Sequence, residues 1–307
     1  ELRSQLRNDD MTYEQARTYY KGMVEDFVKE VSLMSRLEGT SNIVSYQDHQ
    51  VIEHKDRIGW DILIRMELAV PLNDYRLGRK LTEDDVKQMG IDICKALELC
   101  DKQGIIHRDI KPENIFVSKT GNYKLGDFGV ARMMAKTVSA GTVAGTPEYM
   151  AQEVRGGKTG YDKRVDIYSL GITMYRLLNG NRLPFLPPAP KTITRNDIDE
   201  ALRRRAAGEK IPPIRGVDKE LNAVVLKACA YRAKDRYSSA KEMREALENI
   251  GKTMPLGTTI KKIAIGVTLL LMLALSVIIT YKYFETSDDD TTSSSSSSSS
   301  SEAPPKP

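Results

Sequence analysis

The sequence predicts an α+β fold in which a small strand-bearing part precedes a larger helical part, with one membrane-spanning helix after both. Strand-like runs at Ile43–Ile52 and Asp61–Leu68 surround a polar turn and indicate a hairpin. Apolar residues then recur with helical spacing, as in Val165–Leu178. A final apolar stretch, Ile263–Thr280, has the composition of a membrane span.

The strand-bearing part begins with a long helix, predicted over Thr12–Glu38. Thr12 and Gln15 form a capping-box pattern at its start, and Gly39 is a plausible stop. One helical face carries Phe27, Val31 and Met34. In these 307 residues the face is expected to be uncovered, because the strands that would cover it are missing, and the chain is expected to be poorly stable.

The later elements follow from the same patterns. Short strands are predicted at Ile115–Val117 and Tyr123–Leu125, on either side of an Asn-containing turn. Helices are predicted at Asp84–Leu99, Val165–Leu178, around Ile198–Ala207, Leu221–Ala230 and Ser239–Ile250.

Composition limits the classes of function. The 307 residues are 40% hydrophobic and 29% charged, which suits one globular domain with appendages. The net charge is only +4, and we interpret the isolated basic run Arg203–Arg205 as a solvated helix face; no nucleic-acid partner is expected. Cys94, Cys100 and Cys229 lack metal-binding spacing and are expected to be buried, reduced thiols.

The apolar run Ile263–Thr280 contains 18 residues without a charge. As a helix it rises about 27 Å, close to the hydrocarbon thickness of a bilayer. Lys261 and Lys262 precede it and Lys282 follows, a small bias that favours a cytoplasmic position for the large domain. We expect a single-pass cell-membrane protein whose Ser-rich C-terminal segment lies outside.

The remaining segments complete the predicted organisation. Residues 1–250 form the main domain, 251–262 a juxtamembrane linker and 263–281 the transmembrane helix. Residues 282–307 contain an unbroken serine run, Ser293–Ser301, and are predicted to be disordered.

Two polar motifs carry the chemistry. HRDIKPEN occupies His107–Asn114, and DFG occupies Asp127–Gly129, thirteen residues after Asn114. Two ordered motifs at this spacing are a strong signal, whereas either alone would be weak. Through them the sequence resembles the eukaryotic-like (Hanks-type) Ser/Thr protein kinases from about Val24 to Ile250, and among these the membrane-anchored bacterial enzymes.

The resemblance implies a bilobal protein kinase fold, with an incomplete N-lobe to about residue 70 and a helical C-lobe over residues 71–250. ATP and Mg²⁺ (or Mn²⁺) would be the cofactors. Asp109 would orient the substrate hydroxyl and accept its proton, and Lys111 would place a cation against the γ-phosphate. Asn114 and Asp127 would bind the metal through hard oxygen ligands.

The resemblance also implies an activation segment from Asp127 to Glu153. Arg108 would receive a phosphate from this segment through its guanidinium fork. Thr146 would hydrogen-bond Asp109 and Lys111. The candidate phosphorylation sites are Thr137, Ser139 and Thr142.

Several residues have an implied structural role. Asp166 lies in an apolar helix and would accept hydrogen bonds from backbone amides of the catalytic loop; an ordinary helix-start Asp is the alternative. Glu153 and Arg236 would form a buried ion pair. The other residues in this class are His107, Phe128 and Gly129.

The adenine-binding hinge would lie at Met66–Ala69, with the backbone of Glu67 and Ala69 holding the base. Main-chain contacts leave little trace in the sequence, so an ordinary edge-strand ending would have the same appearance. Glu30 shares its helical face with Phe27 and would pair with a lysine on a neighbouring strand. The alternative for Glu30 is an exposed residue at the helix edge.

The pattern departs from the family in two places. No G-x-G-x-x-G loop and no V-A-I-K-like strand precede Glu30, and Gln152 stands where the family has proline. We expect the missing strands to precede Glu1 in a longer chain, and the 307 residues alone to lack activity because they would not hold the triphosphate.

The predicted function is transfer of the ATP γ-phosphate to Ser/Thr hydroxyls of protein substrates, with autophosphorylation. One alternative is a pseudokinase or membrane scaffold that binds partners without catalysis. Another is a small-molecule phosphotransferase, which is disfavoured because those enzymes lack the long activation segment ending in TPEYMAQE. The sequence leaves open whether the protein forms a homodimer.

Overall fold

A computed structural model describes residues 12–33, 37, 41–128, 146–155, 162–252 and 268–278. The side chains of Glu30, Ser32 and Leu33 lie outside that description. By its internal contacts the chain divides into two units, Glu1–Ile250 and Gly251–Pro307.

The larger unit combines short strands with longer helices, so the α+β prediction is confirmed. Its strands are β1 (Tyr46–Glu53), β2 (Trp60–Met66), β3 (Val70–Pro71), β4 (Ile115–Val117) and β5 (Tyr123–Leu125). Its helices are α1 (Tyr13–Leu33), α2 (Leu72–Tyr75), α3 (Glu83–Lys102), α4 (Gln152–Arg155), α5 (Arg164–Leu178), α6 (Arg195–Ala206), α7 (Lys219–Ala228) and α8 (Ala240–Glu248). Short 3₁₀ turns occupy Pro112–Asn114 and Ala233–Asp235.

Helix α1 starts with the predicted capping box. The Thr12 N–H donates to Gln15 Oε1 at 2.9 Å, and the Gln15 N–H donates to Thr12 Oγ1 at 3.3 Å. Val31 is buried in the core and Phe27 packs against that core, so the expectation that this face would be uncovered is wrong for these two residues. The predicted end of this helix, at Glu38 and Gly39, lies outside the described residues.

The predicted hairpin is confirmed: β1 and β2 pair antiparallel, from Tyr46 opposite Met66 to Glu53 opposite Trp60. Its first strand starts three residues later than predicted because the preceding segment pairs elsewhere. The Val44 N–H donates to Leu125 O at 2.9 Å, and the Leu125 N–H donates to Asn42 O, also at 2.9 Å. This pairing joins the hairpin to strand β5.

A second sheet has the order β3-β4-β5, and both of its pairings are antiparallel. Strands β4 and β5 have the bounds that the sequence predicts. The two-residue strand β3 and the one-turn helix α2 were not predicted, because elements this short have no measurable periodicity. Strand β4 directly follows the HRDIKPEN motif, and strand β5 ends two residues before Asp127 of DFG, so this sheet connects the two motifs.

Helices α3 and α5 form the centre of the core. Helix α3 begins at a capping box in which the Asp85 N–H donates to Thr82 Oγ1 at 3.1 Å. Helix α5 is buried from Val165 to Tyr175 and packs against α7, while α3 packs against α8. Cys94, Cys100 and Cys229 are free and buried in this core, as predicted.

The interpretation of Arg203–Arg205 as a solvated face is wrong for one residue. Arg203 pairs with Glu200 at 2.7 Å, and Arg204 pairs with Glu209, both at the surface. Arg205 is only 5% exposed. It lies four residues after the buried Ala201, so the two share the helical face that packs inward.

In the smaller unit, residues 268–278 are helical and their side chains are exposed. No helix within the described ranges has both the length and the apolar content needed to cross a bilayer.

A close approach of α5 and α7 generates the first testable prediction. A Cβ atom at Gly171 would lie 2.8 Å from Ala228 Cβ and 2.9 Å from Cys229 Sγ. Gly171→Ala is therefore expected to lower the free energy of unfolding by about 1–3 kcal/mol through overpacking. The measurement is urea unfolding followed by circular dichroism.

The matched control is Gly22→Ala in the exposed part of α1, where an added Cβ meets nothing within 4 Å. Alanine has the higher helix propensity, so this variant is expected to gain up to about 1 kcal/mol. An unchanged or increased stability of Gly171→Ala would contradict the close packing of the two helices.

Candidate active site

The loop His107–Asp109 is held by a buried carboxylate on α5. Asp166 accepts hydrogen bonds from the backbone N–H groups of His107 and Arg108, each at 2.8 Å. Burial raises the pKa of Asp166 to about 6, although the electrostatic interaction with His107 and the hydrogen bond from its backbone N–H oppose that rise. The loop is thereby fixed to the most buried helix of the fold.

His107 connects this loop to the segment that leads to Asp127. Its Nε2–H donates to Gly126 O at 3.0 Å, and its Nδ1 accepts from the Asp109 N–H at 3.3 Å. Its ring meets Phe128 edge to face at 4.7 Å between centroids. The Gly126 N–H donates to Asn114 O at 3.0 Å, which brings Asp127 next to Asn114 along the backbone.

Asp109 is the centre of a polar network. Lys111 Nζ lies 2.7 Å from Asp109 Oδ2 and donates to Thr146 Oγ1, also at 2.7 Å. The Thr146 N–H donates to Asp109 Oδ1 at 3.1 Å. Burial alone would raise the pKa of Asp109. The hydrogen bond and charge of Lys111, together with the hydrogen bonds of Thr146, instead lower this pKa below its ordinary value.

Asn114 completes the network and offers a ligand atom. Its Nδ2 donates to Asp109 O at 2.8 Å and to Asp109 Oδ2 at 3.0 Å, which leaves Oδ1 to face another partner. Together with the Asp127 carboxylate this is a hard oxygen donor set that suits Mg²⁺. No group of three or more His, Cys, Asp or Glu side chains within the described ranges could hold a metal ion.

Two residues of the site have left-handed backbone conformations. The φ angle is 70° at Arg108 and 59° at Asp127. Such angles are uncommon for residues other than glycine and persist where surrounding contacts fix them. At Arg108 the fixing contact is the hydrogen bond to Asp166.

The predicted Glu153–Arg236 pair is present. Arg236 Nη1 and Nη2 donate to the two Glu153 carboxylate oxygens at 2.6 and 3.0 Å. The Arg236 side chain is fully buried and also donates to three backbone carbonyls, those of Ala230, Arg164 and Tyr231. The pair fixes the end of the segment that contains Thr146 to the helical core.

The sequence model of the protein kinase domain matches residues 10–249. The chain belongs to the protein kinase family. The resemblance to the Hanks-type kinases is therefore confirmed, and the α+β content of the kinase domain fits the bilobal fold.

Bacterial relatives share this domain. Serine/threonine-protein kinase PknB of Mycolicibacterium smegmatis is 40% identical over 163 residues, which are 51% of this chain and 24% of the relative. Serine/threonine-protein kinase Pkn1 of Myxococcus xanthus is 35% identical over 239 residues, 75% of this chain and 32% of the relative. A probable serine/threonine-protein kinase of Clostridium perfringens is 33% identical over 233 residues. The chain spans about a quarter to a third of the length of these relatives.

The predicted hinge of the kinase domain contains an ion pair that sequence reasoning missed. Glu67 Oε2 lies 2.7 Å from Lys124 Nζ, and the Glu67 N–H donates to Ser45 O at 2.9 Å. Burial alone would raise the pKa of Glu67, but Lys124 and Ser45 lower it. The sequence signal that could have revealed this pair is Lys124, which lies between two apolar residues of the three-residue strand β5. Ala69 follows the highly exposed Leu68.

The structure brings Asp109, Lys111, Asn114 and Thr146 into direct contact, with Asp127 beside them along the backbone. The side chain of Glu30, whose predicted partner is a lysine, lies outside the part of the kinase domain that the structure describes. The same holds for Gly129 and for the candidate phosphorylation sites Thr137, Ser139 and Thr142.

The network predicts a pH effect that can be measured without catalysis. In Lys111→Met the pKa of Asp109 is expected to rise, because burial would then act with less opposing charge. Carbon-13 NMR of the Asp109 carboxyl group during a pH titration gives this value. Since folding lowers this pKa, ionised Asp109 stabilises the wild-type fold above about pH 4, and that contribution is lost as the pH falls through the folded-state pKa.

The control is Lys95→Met, which removes a comparable lysine–aspartate contact of 3.1 Å to Asp92. It should leave the pKa of Asp109 unchanged. If Lys111→Met gave the wild-type titration curve, Lys111 would not be what keeps Asp109 ionised.

Proposed function

We propose that this chain is the catalytic domain of a protein Ser/Thr kinase that transfers the γ-phosphate of ATP to hydroxyl groups of protein substrates. The observation that carries the proposal is the contact of Lys111 with both Asp109 and Thr146. The names of the bacterial relatives support the same substrate class.

In this function Asp109 acts on the substrate hydroxyl. Its carboxylate is kept ionised by Lys111 and oriented by Asn114 and Thr146, so it is ready to orient the hydroxyl and accept its proton. Lys111 is adjacent and supplies a positive charge for the transferred phosphoryl group. Catalysis then depends mainly on position, which the anchoring of the loop by Asp166 supports.

ATP and Mg²⁺ (or Mn²⁺) are the cofactors that the family uses. Asn114 Oδ1 and the Asp127 carboxylate would hold the metal, which neutralises charge on the phosphates when bound. The backbone of Glu67 and Ala69 would hold the adenine, and Glu30 would pair with the lysine that contacts the phosphates.

A non-catalytic scaffold is not favoured. Such a protein needs no ionised carboxylate at the centre of its loop, whereas the contacts around Asp109 maintain one despite its burial. For regulation, we propose phosphorylation within Thr137–Thr146, with Arg108 as the residue that binds the phosphate.

The test of the catalytic proposal is Asp109→Asn in the full-length protein. We expect kcat to fall by at least ~10² with little change in the KM for ATP, because general-base positioning contributes about that much. Phosphate transfer to a generic basic protein is the assay.

Asp101→Asn is the matched control, since Asp101 pairs with Lys163 at the surface and should leave kcat unaltered. A wild-type kcat for Asp109→Asn would remove this residue from the mechanism and with it the main support for the proposal.

We also propose that the protein is tethered to the cell membrane by one helix within residues 263–281, with the kinase domain in the cytoplasm and the Ser-rich segment outside. The support is the uncharged run Ile263–Thr280, of which residues 268–278 are helical with exposed apolar side chains. That the protein can form a homodimer stays a prediction.

The tether predicts that the protein stays in the membrane fraction after washing with carbonate or high salt. Protease added outside intact cells should cleave the Ser-rich segment and spare the kinase domain. Release by carbonate would contradict the tether, and cleavage of the kinase domain alone would reverse the orientation.

A further inference from the structure

A cavity of about 990 Å³ lies in the helical part of the kinase domain. One wall consists of the end of α2 and the loop that leads to α3. The second wall is the end of α5 with the residues after it, and the third is the segment Arg215–Val217. The volume lies at the upper end of the range of about 300–1,000 Å³ that is usual for ligand pockets. The cavity is therefore large enough to hold part of a peptide chain.

The walls of the cavity carry more positive than negative charge. Four cationic and two acidic side chains line it: Arg76, Arg79, Lys80, Arg215, Asp74 and Glu83. Asp85 pairs with Arg79 at 2.8 Å, and Glu83 Oε2 accepts a hydrogen bond from the Asp218 N–H at 3.0 Å. Among the residues that the structure describes, no carboxylate lies within ion-pair distance of the other three cations. The cavity therefore offers an excess of positive charge to a ligand.

Apolar side chains complete the lining. Leu77 is 76% exposed, so it presents an apolar side chain to water at the cavity. Four partly buried apolar residues also line the walls: Leu81, Leu177, Leu178 and Val217. No aromatic side chain within the described ranges lines the cavity, whereas pockets for small molecules and sites for single-stranded nucleic acids commonly contain aromatic residues. The lining therefore suits a peptide that combines carboxylates with apolar side chains.

Two walls of the cavity meet at the catalytic loop. Asn73 lines the cavity, and its Nδ2 donates to Glu113 Oε1 at 3.2 Å. On the second wall, Leu177 directly follows Arg176, whose Nη1 lies 4.0 Å from the same Glu113 oxygen. Glu113 is the residue before Asn114 in the HRDIKPEN motif. The cavity therefore adjoins the loop that carries the candidate catalytic residues.

We propose that this cavity is a docking site for a segment of the protein substrate in which aspartate or glutamate is combined with apolar residues. Arg76, Lys80 and Arg215 attract the carboxylates, and an apolar side chain of the segment covers Leu77. Only the choice of a substrate as the partner rests on the proposed kinase function. Because docking adds affinity away from the reacting atoms, it lowers the KM for the substrate and leaves kcat unchanged.

The binding test uses the full-length protein and a fluorescein-labelled peptide in which a pair of leucines is flanked by aspartates. Fluorescence anisotropy at constant ionic strength gives the Kd. The double variant Lys80→Glu, Arg215→Glu is expected to bind the peptide at least ~10-fold more weakly than the wild type, because two attractions become repulsions. The matched control is Arg232→Glu, Lys234→Glu, which makes the same charge change at exposed residues outside the cavity and should bind like the wild type.

The apolar contact has a separate readout. Leu77→Ser is expected to weaken peptide binding by about tenfold, because the covered leucine no longer removes apolar surface from water. A peptide with serines in place of its leucines should bind the wild type more weakly by a similar factor. Thermal unfolding checks that Leu77→Ser keeps the stability of the wild type, as expected for an exposed side chain. Equal affinity of the wild type for the two peptides would reduce the cavity to a cationic surface and overturn the proposal.

The substrate role is measured with two fusions of the generic basic protein. One carries the leucine peptide at its C-terminus and the other carries the serine peptide, so their charges are equal. With the wild type, the leucine fusion is expected to have a KM at least ~3-fold lower and the same kcat. This difference should disappear in Lys80→Glu, Arg215→Glu. Equal KM values for the two fusions with the wild type, or a wild-type Kd in the double variant, would overturn the proposal.

Failure of the proposed kinase function would give a different result. If the wild type transferred no phosphate to either fusion, that function would fail, and the substrate role of the cavity with it. Peptide binding needs no catalysis, so the Kd values would still decide whether the cavity binds acidic peptides.

Discussion

The two hydrogen bonds from His107 and Arg108 to the buried carboxylate of Asp166 are the contacts on which the candidate active site depends. They join a loop without regular structure to the most buried helix of the domain. Through His107 the same connection reaches Gly126, and so the residue before Asp127. The positions of Asp109, Lys111, Asn114 and Asp127 thus depend on one acidic side chain whose burial would otherwise be unfavourable.

Charge compensation stabilises two polar regions of the domain. Around Asp109, burial is balanced by Lys111 and by the donors of Asn114 and Thr146, and the carboxylate stays ionised. Around Arg236 the balance comes from Glu153 and backbone carbonyls. In both regions a buried charge is stabilised by partners from distant parts of the chain.

Much of the fold followed from local signals in the sequence. The cap at Thr12 and the antiparallel hairpin arise from interactions between near neighbours, which sequence patterns contain. The site could be recognised because Asp109, Lys111, Asn114 and Asp127 lie in two short motifs at a recognisable spacing. The burial of Arg205 and the pairing of Lys124 with Glu67 could not be predicted, because both depend on which faces of distant elements meet. A run of three arginines has the same appearance whether one of them points inward or none does.

The approach of α5 to α7 at Gly171 restricts how the two helices can diverge during evolution. Ala228 and Cys229 already fill the space that any side chain at position 171 would need. Glycine is the only residue smaller than alanine that could replace Ala228. A larger residue at position 171 could therefore hardly be accommodated by a substitution on the facing helix. Substitutions at Gly171 are therefore expected to be selected against, whereas the exposed face of α1 can accept substitutions.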